Sequence, residues 1–266
     1  MNWIRALKNL PLRFHEEQSN QLAAVCPEGW RRVYLSRNAY VVCPADALVV
    51  SIWRFQTFCR GGRNEFFDFL DLAEECRSFL DLGASAGIFS ALFANTRHGA
   101  EIVSVEPDRR SFDLLLETAN LNQANSPNWR TVRTAVSNQK GNIRFHSDGF
   151  GGTISHDVTA EEVRAHTLES LADELGWIPD VIKIDIESYE YEVLEAAVEW
   201  LKLHRPRLFL ELHWSLLEAR GHSPARLLDL LNSIGYRWRG RELRLRSVRS
   251  RLDGAGCSRL ALTSAS

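Results

Sequence analysis

From Asn64 onward the apolar positions fall into two alternating periods. Short β-branched and leucine-rich runs predict strands over 79–82, 101–107, 129–136, 181–187, 207–213 and 258–262. Between them, apolar residues recur every three to four positions and predict helices over 64–70, 88–93, 111–121 and 167–175. A further helix carries Val193, Ala197 and Leu201 on one face, and the last runs from the Ser223-Pro224 cap to Gly235. This rhythm argues for an α/β fold on a mostly parallel sheet. It is interrupted between Asn138 and His166, where 141–146 and 163–166 read as extra strands around the flexible stretch Gly149-Phe150-Gly151-Gly152. Upstream, 3–10 reads as a short amphipathic helix, and 32–35 and 47–52 read as strands of an N-terminal extension or cap over residues 1–62, leaving 63–266 as the main domain.

Composition narrows this picture only slightly. The 266-residue chain has a net charge of −2, so no global charge asks for a nucleic-acid partner, and DNA is not expected. Arginine is concentrated over 237–251, where Arg237, Arg239 and Arg241 alternate like one face of a strand; that row keeps RNA as an alternative partner, beside the simpler reading of a solvated strand face. Five scattered cysteines without paired spacing fit reduced thiols, and with no apolar run of about 18 residues and no secretory signal the expectation is a cytoplasmic protein without a transmembrane segment. Self-association is left open.

The candidate chemistry gathers at the carboxyl ends of the predicted strands, where open α/β sheets bind ligands. After the first strand comes Asp81-Leu82-Gly83-Ala84-Ser85-Ala86-Gly87, a small-residue loop that opens a helix and lets the main chain approach a ligand. Taken alone it is equally an ordinary strand-to-helix turn. The second strand ends in Glu106-Pro107, about 25 residues after Asp81 and near the offset at which dinucleotide-binding folds place an acid on ribose hydroxyls. Ser137 follows the third strand, Asp185 and Glu187 end the fourth, and Glu211 and His213 end the fifth. Residues two apart on a strand share a side, so Asp185 pairs with Glu187 and Glu211 with His213; if the two strands are neighbours, their polar ends converge. Asp185, Glu211 and His213 offer oxygen and nitrogen ligands for a divalent metal, or carboxylates for a cationic cofactor.

The ordered set Asp81–Gly87, Val105-Glu106-Pro107, Lys183-Ile184-Asp185-Ile186-Glu187 and Arg205–His213 resembles the FkbM family of S-adenosylmethionine-dependent methyltransferases, from about Asn64 to the C-terminus. Ala135-Val136-Ser137, the glycine-rich insertion and Thr167-Leu168-Glu169 echo the same layout. The resemblance implies a three-layer, Rossmann-like class I methyltransferase fold: a seven-stranded sheet with an antiparallel last strand and the fourth and fifth strands side by side. The chain departs from the family pattern at Ser85, where Asn is usual, and at Ser188-Tyr189, where a Gly and a small residue are usual; Tyr189 is expected to bring bulk toward the acceptor pocket.

On that resemblance the cofactor is S-adenosylmethionine, held by Asp81, Gly83, Ala84, Ser85, Gly87, Glu106, Pro107, Ser137 and Asp185, with Glu106 on the ribose hydroxyls and Gly83 and Ser85 around the methionine portion. The expected reaction is O-methylation of a hydroxyl on a small molecule or glycan. His213 is the expected general base, Asp185 orients the acceptor or ligates a metal, and Glu211 fixes the histidine tautomer or shares that metal. The competing readings are a non-catalytic nucleoside-binding protein, an RNA methyltransferase using the arginine tail, and an NAD-dependent oxidoreductase. The last is disfavoured because Gly83–Gly87 lacks the Gly-x-Gly-x-x-Gly spacing that admits a pyrophosphate.

Overall fold

The computed structural model describes residues 29–34, 39–44, 46–47, 65–147, 152–154, 157, 160–187, 189–249 and 257–264. The expected helix over 3–10, most of the 47–52 run, the loop 149–151 and Ser188 lie outside them.

The main sheet has seven strands, in the order β12-β13-β11-β10-β3-β4-β5. Its centre is β3 (Ser78–Leu82), flanked by β4 (Glu101–Val105) and β10 (Val181–Ile184); β5 (Asn128–Val132) lies outside β4, and β11 (Arg207–His213) outside β10. These five strands are parallel. The chain then closes the far edge with β12 (Tyr236–Trp238) and β13 (Cys257–Ser264), the latter antiparallel to both of its neighbours. The strand order reverses between β3 and β10, which places a crevice over the ends of these strands. The expected fourth and fifth strands are β10 and β11, and they are hydrogen-bonded neighbours with Ile184 level with Leu210.

Alternation along β3 assigns its side chains to two cores. Leu80 and Leu82 pack with Ile182, Ile184, Leu208 and Leu210 on one face, under α5 (Glu190–Ala196), α6 (Val198–His204) and α8 (Pro224–Ser233). Phe79 joins the opposite face, where α1 (Glu65–Leu72) and α2 (Ile88–Thr96) bring Phe66, Phe69, Phe89 and Phe93 together. Phe69 is the hub: its ring centroid lies 4.9 Å from Phe79, 5.2 Å from Phe89 and 5.5 Å from Phe209. Full burial of each such ring contributes about 1.5–3 kcal/mol and fixes α2, with the loop that precedes it, against the sheet.

An antiparallel hairpin, β1 (Trp30–Tyr34) and β2 (Tyr40–Pro44), belongs to this second core through Val33, Val41 and Cys43. The second strand of the hairpin is β2; Ala47, the first residue of the expected 47–52 strand, is helical, and the rest of that run lies outside the described residues. Asn122, at the end of α3 (Arg109–Asn122), donates from Nδ2 to the carbonyl of Val42 at 2.7 Å and ties the hairpin to the main domain.

The interruption after β5 is a small four-stranded sheet of β6 (Ala135–Val136), β9 (Glu161–His166), β7 (Gly141–Ser147) and β8 (Gly152–Ile154), followed by α4 (Leu168–Leu175). The continuous strand expected over 129–136 divides at Arg133-Thr134, because the Thr134 hydroxyl bonds the Arg164 carbonyl at 2.7 Å and draws the next two residues into the small sheet. The alternating arginines do not share a strand face: Arg239 and Gly240 take φ of 50° and 71° and reverse the chain beyond β12, and α9 (Leu245–Arg249) follows.

Candidate active site

The small-residue loop is shaped by two strands at once. The N–H groups of Gly83 and Ala84 both donate to the Val105 carbonyl at 3.0 Å, and Gly87 N–H closes the turn onto Ala84 at 2.8 Å. Gly83 has φ of 72°, and a Cβ there would lie 1.8 Å from the Asp185 carbonyl oxygen, so no other residue permits this crossing of the loop over β10. Ser85 adopts φ of 50° and donates its N–H to Glu106 Oε2 at 2.8 Å; the other oxygen accepts from Asp108 N–H at 2.8 Å. Burial pushes the Glu106 carboxyl up to about 7 against the pull of these two N–H groups.

A cleft of about 470 Å³ runs from this loop along the strand ends. One part is walled by Gly83, Ala84, Ser85, Glu106 and Pro107, with Thr134, Ala135 and Val136 beyond; the other by Lys183, Asp185, Glu187, Glu211, His213 and Cys257. Phe145, Gly152 and Ile154 of the small sheet add an apolar wall.

Three expected cofactor residues act behind this surface. Asp81 has no exposed surface: its Oδ2 accepts from Ser90 Oγ at 2.7 Å and its Oδ1 lies 3.4 Å from Lys183 Nζ. Gly87 is the N-cap of α2, and Ser137 turns its hydroxyl to Gln139. None of the three lines the cleft. Lys183 is central. Its ammonium also donates to the Gly83 carbonyl at 3.1 Å and lies 3.1 Å from Asp185 Oδ2, so one buried cation ties β3, the loop and the end of β10 together.

His213 is enclosed by acids. Its Nδ1 is 2.8 Å from Glu190 Oε1, and its Nε2 is 3.6 Å from Asp185 Oδ1 and 3.5 Å from Glu187 Oε2. Burial works against the charged ring, but hydrogen bonds with Cys257 and Glu190 and the charges of Glu190 and Asp185 outweigh it, and the imidazole is pushed up to about 12. These partners favour the charged ring, which works against its accepting a proton as a general base. Glu187 reaches the histidine by a left-handed φ of 50°, beyond the end of β10 and outside the strand parity that the sequence suggests.

Glu211 is held differently from the expectation. Arg259 grips it from Nη2 at 2.6 Å and Nε at 3.3 Å, and also pairs with Glu65. It does not orient the histidine through Nδ1; Glu190 does. Tyr189 does not line the cleft: the Arg220 guanidinium lies 3.8 Å over its ring.

Among the described residues two groups, Asp185–Glu187–His213 and Glu211–His213–Cys257, bring potential metal-ligand atoms within 4.8 Å of one another. The expected set of Asp185, Glu211 and His213 is not one of them. Its members are committed to Lys183, Arg259 and Glu190 respectively, and a cation would have to displace both the histidine proton and these ion pairs. This donor set does not fit a resident divalent metal. The loop and Glu106 do fit a nucleoside: hydroxyl groups can share the remaining lone pairs of a cleft-lining carboxylate.

Glu190 and Cys257 escape a reading of strand ends. Glu190 sits in the first turn of a helix, where an acid is expected for the helix dipole alone, and Cys257 meets His213 only through the antiparallel register of β13. Lys183 carried a legible signal, a charged residue inside the apolar run Val-Ile-Lys-Ile.

The family model described as the methyltransferase FkbM domain matches residues 81–238. A curated relative, the hexuronic acid methyltransferase AglP of Haloferax volcanii, is 28% identical over 161 residues, covering 58% of this chain and 63% of the relative, less than two thirds of its length. Among solved structures, an FkbM methyltransferase from Methylobacillus flagellatus is similar at 19% identity and a TM-score of 0.40, over 70% of this chain and 52% of that one. The fibrillarin pre-rRNA processing protein of Methanococcus jannaschii is similar at 10% identity and a TM-score of 0.45, over 88% of both chains. Among the described residues no helix is long and apolar enough to cross a membrane.

Proposed function

The chain belongs to the FkbM family of methyltransferases, and from that premise we propose that it transfers the methyl group of S-adenosylmethionine to a hydroxyl oxygen of a small molecule or glycan. The observation that carries this reading is the continuity of one cleft from the Gly83–Ser85 loop and Glu106 to Asp185, Glu187 and His213. The first part suits the nucleoside and amino-acid portions of the cofactor, and the second suits a polar acceptor. The curated relative's name, a hexuronic acid methyltransferase, favours a sugar derivative as that acceptor.

S-adenosylmethionine supplies an activated methyl group on a sulfonium, so little covalent chemistry is asked of the protein. Gly83, Ala84 and Ser85 hold the main chain close, Glu106 would accept from ribose hydroxyls, and Lys183 keeps the loop and Asp185 in fixed relation. Alignment of acceptor oxygen and methyl carbon at about 3–3.5 Å supplies much of the acceleration. The wall of Phe145 and Ile154 limits water at the transfer point.

Calorimetry of the full chain with S-adenosylmethionine, beside NADH, tests the cofactor: binding of the first alone is expected, and binding of neither removes the reading. A screen of hydroxylated glycans, lipids and secondary metabolites with methyl-labelled cofactor then tests the acceptor. A methyl ether product supports transfer to a hydroxyl; a methyl ester would replace it with a carboxylate acceptor.

A further inference from the structure

We propose that Glu187 is the catalytic base that receives the acceptor's proton, while His213 is the fixed cation beside it; this rests on the reading of the acceptor as a hydroxyl.

The first support is the state of the other ionisable groups along the cleft. Glu106 accepts backbone N–H groups through both oxygens, Glu211 is gripped by Arg259, and Asp185 lies against the Lys183 ammonium. Each is nearly buried. Glu187 differs in access: its side chain is 47% exposed yet lines the cleft. The second support is placement. The left-handed turn swings Glu187 away from the sheet edge to within 3.5 Å of His213 Nε2, and the Thr153 hydroxyl of β8 bonds its carbonyl oxygen at 3.3 Å, fixing the turn against the small sheet.

The charged groups that act on Glu187 are His213 from β11, Asp185 from the end of β10, Glu190 from α5 and Glu211 from β11. The desolvation of its half-buried position and the three acids raise its carboxyl to about 6 against the pull of the imidazolium. Such a group is ionised at neutral pH and still basic enough to share a proton in the transition state. In the step, the acceptor oxygen forms a bond to the methyl carbon. The carbon–sulfur bond breaks with its electron pair going to sulfur, leaving a neutral thioether. The hydroxyl proton passes to a Glu187 carboxylate oxygen and from there to solvent. A carboxylate acceptor would release no proton and would need no such base.

Two measurements on the full chain test this. In carboxyl-labelled protein observed by NMR, the resonance lost in Glu187→Gln is expected to titrate near pH 6, while the imidazole nitrogens of His213 stay protonated beyond pH 9. A His213 ring that titrates between pH 6 and 7, or a Glu187 resonance at the ordinary carboxylate range near 4.3, overturns the assignment. With methyl β-D-glucopyranoside as probe acceptor, wild-type kcat is expected to rise with pH and level off above about 6. Glu187→Gln should lower kcat by about 10²–10⁴-fold and abolish the inflection, and Glu187→Asp should restore part of both. Calorimetric affinity of Glu187→Gln for S-adenosylmethionine should stay within about threefold of wild type. Full turnover by Glu187→Gln overturns the proposal, whereas failure of wild-type protein to bind the cofactor counts against the methyltransferase reading instead. If the glucoside is not methylated, the same kinetic comparison is made with a hydroxylated acceptor returned by the labelled-cofactor screen, and full turnover by Glu187→Gln there overturns the proposal.

Discussion

His213 Nδ1 lies 2.8 Å from Oε1 of Glu190, a carboxylate with no exposed surface on the first turn of α5. The pair locks the end of β11 to a helix that follows β10, and so sets the distance between the two strand ends that line one part of the cleft. His213→Ala is expected to leave a buried acid without its cation and to destabilise the fold by about 3–5 kcal/mol in urea unfolding at pH 6.5. A Glu190→Gln/His213→Ala double variant should recover part of that loss. Because the folded imidazole is pushed up to about 12, its contribution is complete below the unfolded value of 6.5 and is lost as pH rises through 12. The gap between wild type and variant should therefore shrink steadily above pH 6.5.

Glu106 gives the complementary pH dependence at the loop end of the cleft. Its folded carboxyl sits at about 7 against an ordinary 4.5, so the folded state holds a proton that the unfolded chain has released. Its contribution to stability is greatest below pH 4.5 and falls by about 3 kcal/mol as pH rises to 7. Comparing unfolding free energies across this window, the difference between wild type and Glu106→Gln should slope downward with pH. A flat difference would mean that the carboxyl has an ordinary pKa.

The two glycines of the loop should respond unequally to a methyl group. Both have positive φ, but a Cβ on Gly83 meets the Asp185 carbonyl oxygen at 1.8 Å, while one on Gly87 meets the Cδ1 end of Leu115 at 2.7 Å. Backbone cannot step aside as a leucine tip can. Gly83→Ala is expected to lower stability by on the order of 3 kcal/mol and to remove measurable S-adenosylmethionine binding, with Gly87→Ala retaining most of both. Thermal unfolding and calorimetry on the two variants check the order.

Much of this fold could be read from hydrophobic period alone, because strands buried on both faces leave runs such as Val181–Ile184 and Arg207–Leu212 that few other structures explain. The strand neighbours followed from the family resemblance and are seen in the register of β10 and β11. Where the reading failed, the cause was long-range or conformational. Alternation among Arg237, Arg239 and Arg241 suggested a strand face, but a positive-φ turn at Arg239-Gly240 breaks it, which charge pattern does not reveal. The expectation of His213 as base rests on its place at a strand end and does not include Glu190 and Cys257, which reach its ring from a helix and from a strand more than 40 residues later. Tyr189 was expected at the acceptor pocket from its bulk, yet Arg220 takes its ring.

Lys183 carries the last prediction, because one ammonium serves two acids and a carbonyl. It lies 3.1 Å from Asp185, 3.4 Å from Asp81 and donates to the Gly83 carbonyl at 3.1 Å, all with almost no exposure. Lys183→Met keeps much of the aliphatic volume while removing the charge, so Asp81 and Asp185 lose the cation they share. The expected loss is about 3–5 kcal/mol of stability in urea, since breaking a buried pair from one side leaves an uncompensated charge. Adding Asp81→Asn should return part of it, because one of the two acids is then neutral and still accepts from Ser90. If the loop holds the cofactor as proposed, affinity for S-adenosylmethionine should fall at least tenfold in the single variant, because the Gly83 carbonyl is released. A Lys183→Met protein with wild-type stability and affinity would show that the ammonium is dispensable to the loop, leaving its form to Gly83 and the Val105 carbonyl alone.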